Sequence, residues 1–258
     1  MTILDKIIAD KHKEVALKKQ LIPIRQLEQS VLFERETQSL AKALRQGSGI
    51  IAEHKRRSPS KSVINNSLSV QDVALGYETA GASGMSVLTD GKYFGGSLDD
   101  LLLARAITKF PLLRKEFIVD EYQILEAKAH GSDAILLIAA SLTKKEIEDF
   151  SAFAKALHLD VLCESHNEEE LLKSSVATVD MLGINNRNLK TFDVSIQTSK
   201  DLVTLIPDEF VKVSESGIST VGAIKELQPY GFEGFLIGEN FMKTDDPGAS
   251  AKIFIEQL

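Results

Sequence analysis

The sequence predicts a TIM barrel, a single (βα)8 domain, preceded by an N-terminal helical extension. Its 258 residues are 43% hydrophobic, which allows one large core, and barrels of this kind typically have about 250 residues. Short β-rich apolar runs alternate with helical stretches of about ten to fifteen residues, the rhythm of βαβ units around a parallel sheet. No linker, charge block or low-complexity tract divides the chain. Eight such units favour a closed barrel over an open sheet, which usually has fewer strands.

The extension is predicted from helical spacing at the start of the chain. Apolar side chains recur at i, i+3 and i+4 positions over residues 2–20, which predicts an amphipathic helix. A second helix is predicted over residues 36–46, ending at Gly47. We therefore assign residues 1–48 to the extension and 49–258 to the barrel, within one domain.

The predicted strands are the apolar runs Ile50–Ala52, Met85–Leu88, Leu112–Leu113, Ala134–Ile138, Asp160–Cys163, Met181–Ile184, Phe210–Val213 and Gly234–Ile237. Hydroxyl side chains that can cap the first N–H groups of a helix mark some of the intervening helix starts. These predicted starts are Ser97, Thr143 and Ser219.

Composition narrows the possible partners and location. A net charge of −7 disfavours nucleic acid and anionic membranes but not a small anionic substrate, since a few lysines in one cleft outweigh the global charge locally. The single cysteine, Cys163, lies in an apolar run and is predicted to be a buried, inert thiol. Charged residues near the start leave no room for a signal-peptide core, and the longest apolar stretch, 134–140, is too short to span a bilayer. We expect a cytoplasmic protein.

Barrel enzymes place their chemistry at the carboxyl ends of the strands. The first strand ends in Glu53, His54 and Lys55. Residues two apart share a strand face, so Glu53 and Lys55 are predicted to point into the barrel mouth together, and His54 toward the helix layer. An ordinary salt bridge would account equally well for this one pair.

Other strand ends add polar side chains to the same mouth. Lys115 follows Leu113 on one strand face, an unusual place for a lysine that is merely solvated. Several polar groups converging on one mouth are harder to explain as loop residues than any one alone. The further members of the predicted cluster are Glu164, Asn185, Arg187 and Glu215.

A phosphate site is predicted between the last two βα loops. Ser216 and Gly217 are predicted to open one helix, and Gly238 with Glu239 to begin a short extra helix after the eighth strand. Glycine turns with helix N-termini at these positions form the standard phosphate site of such barrels. Glu239 would contribute its backbone N–H while its side chain faces solvent.

Neither a metal nor a cofactor is expected. The five histidines show no ligand spacing. No glycine-rich dinucleotide fingerprint follows the first strand.

Taken together, these residues resemble the indole-3-glycerol phosphate synthase family from about residue 1 to the C-terminus. The matching motifs are Ile51–Lys61, Ser86–Asp90, Phe94–Ser97, Leu113–Phe117, Asp120 with Tyr122–Ile124, Gly183–Leu189 and Ser214–Ile218. Two positions depart from the family pattern: Ser62 stands where glycine is usual, and His54 replaces a more typical apolar or aromatic residue.

The resemblance implies a cofactor-free reaction of tryptophan biosynthesis. The substrate 1-(2-carboxyphenylamino)-1-deoxyribulose 5-phosphate would cyclise, decarboxylate and dehydrate to indole-3-glycerol phosphate. By analogy Lys115 is the general acid of ring closure, Glu164 assists dehydration, and Lys55 contacts the substrate's anions and assists proton transfer. Glu53 and Asn185 would orient the substrate.

The resemblance also implies binding roles for the rest of the mouth. Arg187 would lie near the anthranilate carboxylate, and Glu215 and Ser216 would complete the polar mouth. The expected phosphate side consists of Ser58, Gly217, Gly238 and Glu239. The aromatic ring is expected against Pro59, Phe94, Phe117 and Leu189, although core packing alone would account for Phe117.

Two alternatives stay open at this point. A sugar-phosphate isomerase or epimerase would explain the phosphate loops but not the set Glu53, Lys55 and Lys115. A catalytically silent barrel would use those charges only to hold a phosphate ligand. In each case the expected protein is a monomer or weak homo-oligomer with a small phosphorylated ligand and no nucleic-acid or membrane partner.

Overall fold

The computed structural model describes residues 2–189 and 191–258, and within them eight parallel strands close into a barrel in chain order. The barrel closes where β1 pairs with β8, with Ile50 opposite Phe235. The strands are β1 (Ile50–His54), β2 (Gly84–Leu88), β3 (Leu112–Lys115), β4 (Ala134–Ile138), β5 (Asp160–Ser165), β6 (Met181–Asn185), β7 (Val211–Glu215) and β8 (Phe232–Ile237). The predicted TIM-barrel fold is confirmed.

The helices of the described residues precede the barrel and alternate with its strands. They are α1 (Ile3–Leu21), α2 (Ile24–Glu28), α3 (Leu40–Gln46), α4 (Val70–Thr79), α5 (Gly91–Phe94), α6 (Leu98–Ile107), α7 (Glu121–Ala129), α8 (Lys144–Ala156), α9 (Glu168–Ser174), α10 (Gln197–Leu202), α11 (Val221–Leu227), α12 (Glu239–Met242) and α13 (Pro247–Ile255). Short 3-10 turns lie at Ala139–Ser141, Val203–Leu205 and Gln228–Tyr230. In the part of the chain that the structure describes, every helix is too short or too polar to cross a membrane.

Local capping explains where the helix predictions held and where they did not. Ser97 and Thr143 cap α6 and α8 as predicted. The helix predicted over 36–46 begins only at Leu40, because the Ser39 side chain accepts the N–H of Lys42. The predicted start at Ser219 is wrong: the Thr220 side chain accepts the N–H of Ala223 and begins α11 one residue later.

The core has two layers that follow from the strand sequences. Both faces of a parallel barrel strand are covered, so its residues are continuously apolar, as in the fully buried β4. Alternate side chains pack inside the barrel, such as Leu136 and Leu162, or outward against the helices, such as Leu137 and Val161. Leu40 and Leu44 of α3 join the inner cluster next to the first residue of β2 and near the start of β8. Helix α3 therefore closes the amino-terminal end of the barrel.

Helix α1 packs at that carboxyl end and is fixed there by a buried cation. The Lys11 side chain is 3% exposed, and its Nζ lies 3.0 Å from Asp90 Oδ2 and 3.1 Å from Glu116 Oε1. Asp90 lies two residues after the end of β2, and Glu116 follows directly after β3. Burial opposes the charge on Lys11, but these carboxylates outweigh it and raise the lysine pKa. Breaking a buried pair costs about 3–5 kcal/mol, so α1 is a fixed part of the barrel rim.

Candidate active site

A cavity of about 440 Å³ opens at the carboxyl ends of the strands, between the rim loops and α1. Every residue that the sequence predicted for the site lines it. These residues are Glu53, Lys55, Ser58, Pro59, Phe94, Lys115, Phe117, Glu164, Asn185, Arg187, Leu189, Glu215, Ser216, Gly217, Gly238 and Glu239. The structure thus brings the predicted set together, while the role of each residue stays a prediction.

Lys115 occupies the centre of the cavity floor between two carboxylates. Its Nζ lies 3.0 Å from Glu164 Oε2 and 2.5 Å from Glu215 Oε2. These side chains, with Glu53, come from the odd-numbered strands, and alternate strands of such barrels contribute side chains to one interior layer. Burial opposes the charge on Lys115, but the surrounding carboxylates outweigh it and hold its pKa well above the usual value. Lys115 is therefore an ammonium ion throughout the physiological pH range.

The two carboxylates beside Lys115 differ in protonation. Burial opposes ionisation of Glu164, but Lys115 and His166 outweigh it and hold the pKa of that carboxyl well below its usual range. Burial and the nearby Glu164 charge instead raise the pKa of Glu215 to about 7, despite the contact with Lys115. Among the described residues, Glu215 Oε1 is buried without a hydrogen-bond partner. Near neutral pH Lys115 thus lies between one ionised and one half-protonated carboxyl group.

Glycine makes room for the buried carboxylates. A Cβ on Gly183 of β6 would lie 2.4 Å from Glu215 Oε1, and a Cβ on Gly238 would lie 2.6 Å from Glu53 Oε1. Any side chain at either position would displace the carboxylate beside it.

The end of β1 places Glu53 and Lys55 together in the cavity, as predicted. Lys55 Nζ lies 2.7 Å from Glu53 Oε1, and Ser86 Oγ donates to Glu53 Oε2 at 3.3 Å. Burial raises the pKa of Glu53, but Lys55 and Lys115 outweigh it, and the carboxyl pKa is lowered. His54 is buried away from the cavity, and burial together with the Arg56 charge lowers its pKa to about 4. Glu53 therefore points into the barrel mouth and His54 away from it, as predicted.

Asn185 ends β6, and Arg187 lies two residues beyond it. Asn185 Nδ2 donates to Glu164 Oε1 at 2.9 Å, while its Oδ1 accepts the backbone N–H of Arg187. The guanidinium of Arg187 reaches the carbonyl of Phe192 at 3.5 Å, on the exposed side of the mouth. Asn185 therefore orients Glu164, and Arg187 presents a cation at the entrance.

The loops after β7 and β8 form a glycine-rich side of the cavity. Ser216 and Gly217 have left-handed φ angles of +66° and +79°, so they form a turn, and the prediction that they open a helix is wrong. Gly238 does begin the short extra helix, as predicted. The Glu239 side chain is 47% exposed and pairs with Lys61 Nζ at 2.8 Å.

An apolar wall faces these polar groups. The rings of Phe94 and Phe117 lie 5.8 Å apart between centroids. Pro59, Leu189 and side chains of α1, among them Ile7, complete the wall. A flat aromatic group fits such a surface.

Sequence reasoning missed two features of the site. His166 follows β5 with its Nε2 3.4 Å from Glu164 Oε1 and its Nδ1 3.0 Å from Glu170 Oε2. Its position two residues after Glu164 was the available signal, since that spacing shares a strand face. The second missed feature is that side chains of α1 line the cavity. A lysine within the apolar stripe of that helix, Lys11, was the available signal that the helix meets buried carboxylates.

Ionised and protonated groups gathered at the carboxyl end of a closed (βα)8 barrel, opposite an apolar wall, define a TIM-barrel enzyme with acid–base chemistry. Among residues 2–189 and 191–258, no group of three or more His, Cys, Asp or Glu side chains is arranged to hold a metal ion.

Solved structures agree with the fold. A mutant tryptophan synthase alpha-subunit from Pyrococcus furiosus superposes with a TM-score of 0.63 at 14% identity, covering 82% of this chain and 98% of that chain. A thiamine phosphate pyrophosphorylase from the same organism superposes with a TM-score of 0.61 at 16% identity, covering 85% and 98%.

Sequence comparisons identify the family. The profile of indole-3-glycerol phosphate synthase matches residues 4–254. The chain is 46% identical over 257 residues to an indole-3-glycerol phosphate synthase of Bacteroides thetaiotaomicron, covering 99% of this chain and 98% of that relative. It is 44% identical over 251 residues to one of Burkholderia ambifaria, covering 95% and 96%. The chain therefore belongs to the indole-3-glycerol phosphate synthase family, carboxy-lyases of tryptophan biosynthesis.

Proposed function

We propose that the enzyme closes the indole ring of 1-(2-carboxyphenylamino)-1-deoxyribulose 5-phosphate, with loss of CO2 and water, using the cavity at the carboxyl ends of the strands. The observation that carries the proposal is the Lys115 ammonium, buried between Glu164 and Glu215 and facing an apolar wall. Family membership argues against the isomerase alternative. Turnover of the substrate distinguishes the proposed enzyme from a barrel that only binds a phosphate ligand.

Substrate orientation follows from the charges of the mouth. Lys55 and Arg187 line the cavity as cations that can contact the anthranilate carboxylate, and the backbone N–H groups near Gly217 and Gly238 can bind the phosphate. The aromatic ring then lies on Phe94 and its neighbours. With Glu53 and Asn185 orienting the hydroxyls, the ketone oxygen comes next to Lys115.

Ring closure uses Lys115 as the acid. A carbon–carbon bond forms between the ring carbon that bears the carboxylate and the ketone carbon, and the ketone oxygen takes a proton from the ammonium. Charge develops on that oxygen only as the bond forms, so a positioned ammonium stabilises the transition state more than the substrate. Glu215, half-protonated near neutral pH and 2.5 Å from Lys115 Nζ, returns the proton.

Decarboxylation and dehydration complete the reaction. The carbon–carboxylate bond breaks, CO2 leaves, and its electron pair restores the aromatic ring. The new hydroxyl then leaves as water with a proton delivered through Glu164, and a carboxylate of the mouth takes the proton released from the adjacent carbon. The apolar wall favours loss of an uncharged molecule from a carboxylate.

Turnover of the anthranilate–ribulose substrate tests the proposal. The chain contains no tryptophan, so the indole fluorescence of the product appears over a low background. A strong chelator is included throughout, because the proposed chemistry uses only side chains. Fluorescent product with the stoichiometric release of CO2 is expected; binding without turnover would support the silent barrel instead.

We further propose that residues 1–258 work as one domain in the cytoplasm, as a monomer or weak homo-oligomer without nucleic-acid or membrane partners. The lining of the cavity by α1 supports a single functional unit. The net charge of −7 supports the absence of polyanionic partners.

A further inference from the structure

A buried row of three titratable side chains runs outward from the cavity through β5 and α9. Glu164 lines the cavity, and His166 lies behind it with its Nε2 3.4 Å from Glu164 Oε1. On the far side of the imidazole, Nδ1 lies 3.0 Å from Glu170 Oε2. The side chains of Glu164, His166 and Glu170 are 7%, 10% and 15% exposed, so water competes little with these contacts.

The start of α9 fixes the imidazole. Asn167 caps the helix and accepts the N–H of Glu170. The Glu170 carboxylate reaches back, accepting the backbone N–H of His166 at 2.8 Å through Oε2 and the amide of Asn167 at 2.8 Å through Oε1. Because Glu170 is ionised and faces Nδ1, that nitrogen carries a proton.

The other imidazole nitrogen depends on a proton shared with Glu164. Among the described residues, His166 Nε2 is a buried atom that completes no hydrogen bond, although it faces a carboxylate oxygen. A neutral imidazole would turn its lone pair toward that oxygen, an arrangement that is favourable only when one of the two groups holds a proton. A proton therefore belongs between His166 Nε2 and Glu164 Oε1.

The surrounding charges favour keeping that proton. Glu164, Glu170 and, from β7, Glu215 face the imidazole, and Lys115 lies beyond Glu164. Burial favours neutral imidazole, but the hydrogen bond to Glu170 and the Glu164 charge outweigh it and raise the pKa of His166.

We propose that His166 is a positioning residue that shares a proton with Glu164 and supplies it for dehydration, while Glu170 holds the imidazole in its proton-donating state. The single shared proton moves from His166 Nε2 to Glu164 and from Glu164 to the departing hydroxyl, which leaves as water. Glu164 is then again a carboxylate, and neutral imidazole remains hydrogen-bonded to Glu170 through Nδ1. Solvent restores the proton in the next cycle. The inference rests on the role proposed for Glu164 in dehydration.

Single-turnover kinetics test the inference step by step. CO2 release and indole fluorescence are followed together, because decarboxylation precedes dehydration. His166→Gln keeps an amide donor in place of Nε2 but cannot ionise. We expect CO2 release to change little and KM to change only slightly. The later formation of indole should slow by about ten- to a hundredfold, up to the lower end of the usual range for general acid catalysis.

The pH dependence of indole formation distinguishes a His166 that supplies a proton from one that only packs against Glu164. In the wild type, indole formation falls on the alkaline side as the shared proton is lost. Glu170→Gln keeps the shape and removes the charge that favours the protonated imidazole, so this limb should move down by about one pH unit, which corresponds to about 1.4 kcal/mol. Glu169→Gln, an exposed neighbour on the same helix, is the matched control and should follow the wild type.

A second readout does not need turnover. Imidazole nitrogen NMR of the unliganded protein, with His166 assigned from the spectrum of His166→Gln, should show protonated Nδ1 and a titration that moves to lower pH in Glu170→Gln. Unchanged indole formation in His166→Gln, or an unmoved alkaline limb in Glu170→Gln, would overturn the inference and leave the role of Glu164 standing. If Glu164→Gln itself forms indole at the normal rate, the proposed role of Glu164 fails, and this inference with it.

Discussion

Replacing Lys115 is the sharpest test of the proposed chemistry. Lys115→Met keeps the aliphatic stem but removes the ammonium, whereas Lys115→Arg keeps a positive charge that is too weak an acid to release a proton readily. A residue that only binds contributes equally before and during ring closure, so its loss raises KM. A general acid acts as charge develops on oxygen, so its loss lowers kcat.

The structure sets the size of the expected effects. General acid catalysis contributes about a hundred- to ten-thousand-fold, so Lys115→Met should lower kcat by at least this range, roughly 3–5 kcal/mol of barrier. Folding also suffers, because Glu53, Glu164 and Glu215 lose a common buried counter-ion. Loss of one partner of a buried pair costs about 3–5 kcal/mol when the other stays charged.

The folding penalty should depend on pH. The pKa of Glu215 is already raised to about 7, and removal of the ammonium raises it further. A carboxyl group with a raised folded-state pKa favours folding only while it is protonated. The stability of Lys115→Met should therefore fall further below the wild type as the pH rises above about 7.

Steady-state kinetics by indole fluorescence and urea unfolding on either side of pH 7 measure both effects. Lys145→Met serves as the control, since the Lys145 side chain is 80% exposed on α8. Near-normal kcat in Lys115→Arg would show that charge alone suffices. A raised KM with unchanged kcat in Lys115→Met would refute the proton-donor assignment more directly.

Two further predictions concern anion binding. A complex with product or sulfate should place the anion at the backbone N–H groups of Gly217 and Gly238, and an anion found only at the amino-terminal face of the barrel would contradict the proposed phosphate site. Substrate binding should also take up protons near pH 7 to 8, because an anion close to Glu215 raises its pKa above the resting value of about 7. Calorimetry in buffers of different ionisation enthalpy measures this uptake, which should shrink in Glu215→Gln; equal uptake in that variant would assign the proton to another group.

Much of the barrel could be predicted because one local rule applies at each strand. Runs such as the buried residues of β4 are apolar since both faces of a barrel strand are covered. Because residues two apart share a strand face, Glu53 and Lys55 could be assigned to the inner face of the barrel together, and Lys115 to the same face as Leu113. The cavity floor follows from these two local patterns and the closure of the sheet.

What could not be predicted depends on contacts distant in sequence or on competing caps. The helix Ile24–Glu28 was not predicted, since its five residues carry too little periodic pattern. Ser219 and Thr220 are equivalent caps by composition, and only the path of the loop selects Thr220. An apolar stripe on α1 shows that the helix is packed, but not that Lys11 meets Asp90 at the barrel rim.

The residues that line the cavity come from widely separated parts of the sequence, from Ile3 and Leu4 in the first helix to Lys243 after the last strand. The barrel itself is sealed by the first and last strands. During synthesis α1 is made first, but the cavity that it lines is complete only after the last strand has closed the barrel. A partly made chain therefore contains Lys115 without the enclosed cavity that the proposed chemistry requires, so activity is expected only from the completed fold.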